Sequence, residues 1–201
     1  MWIAVKYLLS VMAIAIPSVS TAQDASSRDL ASVGEQLPQM TLHPLFLEPY
    51  VCSEHFYSPN ISLGDALGQN CLIIAGVDFS TGSGSMKYFE GDGSRNTDWF
   101  SWNKPVAAPL SGLVSEIHVN DVVNVPGTMN PSLATSVTIV DDSGKTVVVA
   151  HLHSVSVSKG DRVAAGEMIG TVGNNGNSRN PHTHMLVPLR LRVNLPKFAG
   201  T

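Results

Sequence analysis

The chain has 201 residues, 43% of them hydrophobic and 14% charged, which fits one globular domain with a core plus a short extension and excludes a disordered chain. Its net charge of −4, with a pI near 5.9 and no block of Lys or Arg, excludes an electrostatic nucleic-acid binder. Seventeen Gly and twelve Pro call for many turns, and so for a β-rich fold of short strands.

Residues 1–22 read as a secretory signal peptide. Lys6 precedes an apolar core from Tyr7 to Ile16, then come the helix-ending Pro17 and small Ser20 and Ala22 where a signal peptidase reads. That core is about ten residues long, against the ~20 needed to cross a bilayer. The expectation is a cleaved signal and a secreted or periplasmic protein with no membrane span. Two cysteines remain, Cys52 and Cys71, and a lone pair in an oxidising compartment is expected to form a disulfide. Residues 23–60 read as an N-terminal extension, propeptide-like, polar at first and then apolar with turn breaks in "TLHPLFLEPYVC".

From residue 61 to about 195 the pattern changes to short β runs with turn signals between them. Strands are predicted over 71–79, 105–110, 112–119, 135–141, 146–153, 167–173 and 182–193, with "DDSGK" (141–145) as a hairpin turn. The segment 80–104 is a long loop rich in Gly, Ser, Asp and Asn, and a loop of that size is usually functional. Its aromatics, Trp99, Phe100 and Trp102 among them, argue for order and could flank a groove.

Two His-x-His pairs carry the chemistry. On a strand, residues i and i+2 share a face, so His182 and His184 of "NPHTHMLV" are expected to point together, as are His151 and His153 of "VVVAHLHSV". Neutral imidazole is the commonest zinc ligand. His43, His55 and His118 belong to no motif and read as surface or structural.

"AHLHSVSVSKGDRVAAGEMIGTVGNNGNSRNPHTHM", with the upstream "PVAAPLSGLVSEI", resembles the lysostaphin/LytM-type zinc metallopeptidases of family M23 over roughly 71–187. The resemblance implies a mainly β fold, a compact antiparallel β-sheet or barrel-sandwich with long loops. It also implies a Zn2+-dependent endopeptidase that cuts peptide bonds of bacterial peptidoglycan by metal-assisted hydrolysis. In the family a His-x-x-x-Asp gives two zinc ligands, and the last His of a His-x-His gives the third. Carried onto this chain, His184 is a metal ligand, while His151 and His182 position or deprotonate the attacking water and stabilise the oxyanion.

The chain departs from the pattern by lacking His-x-x-x-Asp. Ile74 stands four before Asp78 and Ser94 four before Asp98, and neither ligates. Asp98, seven residues before Pro105, suits the family spacing better than Asp78, with Asp92 or Asn96 as replacement for the missing His; the third ligand stays open among Asp92, Asn96 and Asp78. A calcium loop starting at Asp92 would need Gly and Glu where Thr97 and Asn103 stand. The alternative within the family is a catalytically degenerate domain that binds peptidoglycan or activates another cell-wall hydrolase. A biotinyl or lipoyl carrier would need a Lys at a hairpin tip beside a Met, a context Lys145 lacks.

Overall fold

In the computed structural model, which describes residues 40–54, 68–80, 82 and 84–187, the chain runs through twelve β strands and one short 3-10 turn. In chain order the strands are β1 (Tyr50–Glu54), β2 (Gln69–Ile73), β3 (Gly76–Asp78), β4 (Ser85–Lys87), β5 (Pro105–Ala107) and β6 (Gly112–His118). They continue with β7 (Ser136–Val140), β8 (Thr146–Ala150), β9 (Leu152–Val155), β10 (Arg162–Val163), β11 (Met168–Val172) and β12 (Thr183–Leu186). The 3-10 turn spans Asn96–Asp98. The signal peptide, most of 23–60, His55 and the end of the strand predicted over 182–193 lie outside the described residues.

Seven strands form one antiparallel sheet in the order β1-β2-β12-β8-β7-β6-β10. A second sheet is β5-β11-β9, and β3-β4 is a separate hairpin. The protein is therefore mainly β and antiparallel, as the composition implies. Period-two alternation fills the core: Val137 and Ile139 in β7 and Val147 and Val149 in β8 are fully buried, with half-buried residues between them. Val106, Leu152, Ile169 and Val172 add the buried side chains of the smaller sheet. The β unit also takes in Leu45, Phe46 and β1, all within the segment read from sequence as an extension. Cys52 and Cys71 stand opposite one another across β1 and β2 and are bonded.

Two predicted strands are broken. The run over 71–79 divides into β2 and β3, with Gly76 at φ 145 as the joint. The run over 146–153 divides into β8 and β9 at His151, whose φ is 64. Residues 80–104 hold β4 and the 3-10 turn, and two of their aromatics, Phe89 and Trp99, pack on each other within the segment. Trp99 stacks on Phe89 with centroids 4.8 Å apart, and its Nε1–H donates to the Gly93 carbonyl (2.9 Å).

The predicted turn at 141–145 joins β7 to β8. Asp141 Oδ1 accepts from Ser143 Oγ (2.7 Å), Lys145 N (2.8 Å) and Ser143 N (2.9 Å). The Ser143 hydroxyl is the main cause of a lowered Asp141 pKa; partial desolvation opposes it, and the Lys145 and Ser143 amides assist. A depressed folded-state pKa stabilises the fold above the unfolded value, and that contribution is lost as pH falls through the folded one. Carboxyl NMR titration should give Asp141 a midpoint below the ordinary 3.8. Ser143→Ala should move it upward, and an unchanged midpoint would show that the hydroxyl does not hold the turn.

Candidate functional site

Three histidines come together at the ends of neighbouring strands. His184 in β12 sits in register between Ala150 of β8 and Asn70 of β2. His182 immediately precedes β12, and His151 immediately follows β8. The His151 ring lies 4.6 Å from that of His182 and 5.9 Å from that of His184, centroid to centroid. They line one cavity of about 470 Å³, with Asn70, Ala150 and the segment Ser132–Ala134 on its walls. Such a volume is that of a small-ligand or short-peptide pocket.

Backbone strain positions His151. A left-handed non-glycine residue costs on the order of 1–3 kcal/mol and persists only where its surroundings over-determine it. Here the His151 carbonyl accepts from Gly173 N (2.8 Å), and the next amide, Leu152 N, donates to Thr135 O (3.1 Å). The ring itself is tied down, with Nδ1–H donating to the Asn175 carbonyl (2.8 Å). A carbonyl only accepts, so this bond sets the tautomer and leaves the lone pair on Nε2. Gly173 is required at this point, because a Cβ there would lie 2.6 Å from His153 N and 2.8 Å from His151 O.

His182 is fixed the same way, with Nδ1–H donating to the Asn180 carbonyl (2.8 Å) and Ser178 Oγ 3.2 Å away. The Asn70 amide then links the pair, 3.1 Å from His182 Nε2 and 2.9 Å from His184 Nδ1. With Nδ1 of His182 on a carbonyl, a neutral His182 is satisfied by the Asn70 NH2, and a protonated one by its oxygen.

Asparagines also build the loop that carries this machinery. Buried Asn175 accepts from Thr135 N at Oδ1 (2.8 Å) and donates to Leu152 O (2.6 Å). Buried Asn124 donates from Nδ2 to Gly176 O (2.9 Å) and Ser178 O (2.8 Å). Asn174 Nδ2 donates to Asn96 Oδ1 (2.9 Å), and Asn96 Nδ2 to Asn124 O (2.8 Å).

The structure brings together His151, His182 and His184 and places Asp92, Asn96, Asp98 and His153 elsewhere. Asn96 is part of the scaffold just described. Asp92 accepts from Ser94 N (3.0 Å), which with the Ser94 hydroxyl holds its pKa below the ordinary value. Asp98 accepts from Arg95 N (3.0 Å) and pairs with Arg95 Nε (3.4 Å). None of the three lines the histidine cavity. Asp78 lies in β3. His153, expected beside His151, lines a different cavity and stacks on Trp102 at 4.8 Å, because the left-handed kink ends the two-residue alternation between them. Asn70 is the site residue that the spacing did not offer, since it lies 114 positions from His184. Asn175 and Asn180 stand in the conspicuous "GNNGNSRN" run, which was the available signal.

The donor set does not fit a zinc ion. Three imidazoles can ligate zinc, but here the Asn70 amide stands hydrogen-bonded to His182 Nε2 and His184 Nδ1, on the ring nitrogens that a shared ion would need. Among the described residues no group of three or more His, Cys, Asp or Glu is arranged to hold a metal.

This is an antiparallel β domain with a histidine-lined pocket at its strand ends, and residues 96–193 match the model of peptidase family M23. That match covers just under half of the chain and gives it the likeness of an M23 peptidase domain. Among solved structures it is similar to a Pseudomonas aeruginosa structure assigned to peptidase M23, at 18% identity and TM-score 0.42, covering 84% of this chain and 58% of that one. It is also similar to the catalytic domain of Staphylococcus simulans lysostaphin, at 20% identity and TM-score 0.42, covering 71% of this chain and 83% of that one. The catalytic domain of the prophage-encoded M23 protein EnpA from Enterococcus faecalis gives 20% identity and TM-score 0.44, over 71% of this chain and 83% of that one. The chain thus spans less than two thirds of the Pseudomonas structure. No curated protein matches.

Removing the Asn124 side chain should strand the Ser178 carbonyl and loosen the loop beneath His182. Asn124→Ala is expected to cost about 2 kcal/mol, which lowers Tm by about 4–8 °C for a chain of this size. Calorimetry checks it, and a Tm within a degree of the parent would remove Asn124 from the scaffold.

Proposed function

We propose that this M23-like domain binds peptide segments of peptidoglycan in the histidine-lined cavity and does so without zinc. The observation that carries the reading is the Asn70 amide, hydrogen-bonded to both His182 and His184. The family pattern has a ligating His and, four residues on, a ligating Asp. Asn70, cross-strand from His184, and Ile74 four residues on are read as their replacements. An amide and an alkyl group in those places leave His184 without the two co-ligands that the family's zinc centre uses.

What remains suits recognition of a peptide. Apolar Met129, Leu133 and Ala150 stand beside the amide groups of Asn70, Asn177 and Asn180 in the same cavity. Peptide backbones present alternating donors and acceptors with small apolar side chains, and this lining offers both kinds of contact. The reading carries with it an envelope or secreted location, with residues 1–22 removed as a signal, and the Cys52–Cys71 disulfide supports an oxidising compartment. Among the described residues no helix is long and apolar enough to cross a membrane.

Two measurements on the purified protein test this. Elemental mass spectrometry should find no stoichiometric zinc, before or after incubation with micromolar zinc. The protein should nonetheless sediment with insoluble peptidoglycan and release no new amino termini from it. Stoichiometric zinc together with peptide-bond cleavage would overturn the proposal in favour of the endopeptidase, with His184 as ligand and His151 and His182 at the attacking water. Asn70→His with Ile74→Asp should raise zinc uptake above that of the parent; no gain would remove those positions from the argument.

A further inference from the structure

Resting on the peptide-binding reading, we infer that the cavity selects a peptide bearing a free carboxylate, and that Arg179 is its anchor. Among the described residues the cavity has one permanently charged side chain in its lining, Arg179, and no Asp or Glu, although the chain has 16 acidic residues against 12 basic ones. An acid-free lining around one guanidinium is the arrangement that attracts an anion.

Arg179 is also presented rather than neutralised. Its carbonyl accepts from Gly127 N (2.8 Å), and its neighbour Ser178 is buried and donates to the Asn180 carbonyl (2.9 Å). The residue therefore projects from a held backbone. Among the described residues its Nε donates to the Met129 sulfur, 3.4 Å away, which is a weak acceptor. The other two arginines among the described residues are each paired with a carboxylate, Arg95 with Asp98 (3.4 Å) and Arg162 with Asp142 (3.0 Å). Arg179 makes no ion pair with a described residue.

A planar guanidinium matches a carboxylate through two parallel N–H···O bonds, and such charge-assisted pairs are about twice as strong as neutral ones. Met129 beneath Nε limits the orientations of the group, so less freedom is lost on binding. Asn177 and Asn180, on either side of Arg179 in the same lining, add amide groups for the adjoining peptide unit. The carboxylate can be the C-terminus of the peptide or an acidic group along it, and the chemistry at Arg179 is the same.

Isothermal titration of the full chain with one synthetic peptide in four forms distinguishes these sources. The peptide is Ala-γ-Glu-Lys-Ala with both carboxylates free, with a C-terminal carboxamide, with a glutamyl α-carboxamide, and with both amidated. The parent should bind the free acid tighter than the doubly amidated form by about 10- to 100-fold. The singly amidated form that loses this advantage identifies the source. Arg179→Gln should bind all four forms alike, at the affinity of the parent for the double amide, and Arg179→Lys should fall between. As Arg179 is exposed, both variants should melt with the parent, which separates lost contact from lost fold.

Equal binding of acid and double amide by the parent overturns the carboxylate inference and leaves peptide binding standing. Arg179→Gln weakening all four forms in proportion overturns it as well. Failure of the parent to bind any form overturns the peptide-binding reading itself, and this inference with it.

Discussion

The site depends on one residue held in a conformation it would not choose. His151 terminates β8 in the left-handed region, and that kink brings its ring beside those of His182 and His184. Three contacts enforce it: the Gly173 amide on its carbonyl, Leu152 N on Thr135 O, and the Asn175 carbonyl on its ring. All three partners lie on other strands or loops, so the geometry of the pocket is set by tertiary structure. Local strain maintained in this way is a mark of function rather than of stability.

Around that kink the protein uses carboxamides where a charged site would use carboxylates. Asn side chains donate and accept at once, so one residue can close two backbone groups from different segments. Buried Asn175 does so, buried Asn124 donates to two carbonyls of the Gly176–Ser178 loop, and Asn96 and Asn174 extend the network to the long 80–104 segment. Asn70 joins two imidazoles through a single amide atom. A neutral scaffold of this kind needs no counter-ions, and it leaves the net electrostatics of the pocket to the single guanidinium at its edge.

The strands were legible in sequence where burial alternates. Val137, Ile139, Val147 and Val149 announce β7 and β8 because one face of each is fully covered. The histidine pair at β12, His182 just before the strand and His184 within it, was legible from its period of two leading into an apolar run. The break at His151 was not, since nothing local marks the residue; the cause is the close approach of Gly173 from β11's end. Asn70 was hidden because strand register, and not spacing, carries it to His184. Asp92 and Asp98 bond to a nearby main chain in an Asx-type arrangement that in sequence resembles ligand spacing.

The two margins of the seven-stranded sheet set a limit on what the domain can join. One margin is β10, two residues long, whose Arg162 is tied to Asp142. The other is β1, which ends in the exposed Glu54 and is bonded to β2 through Cys52. Short, charged margins offer another chain little to pair with. Extension of this sheet by a second chain is therefore disfavoured at either margin.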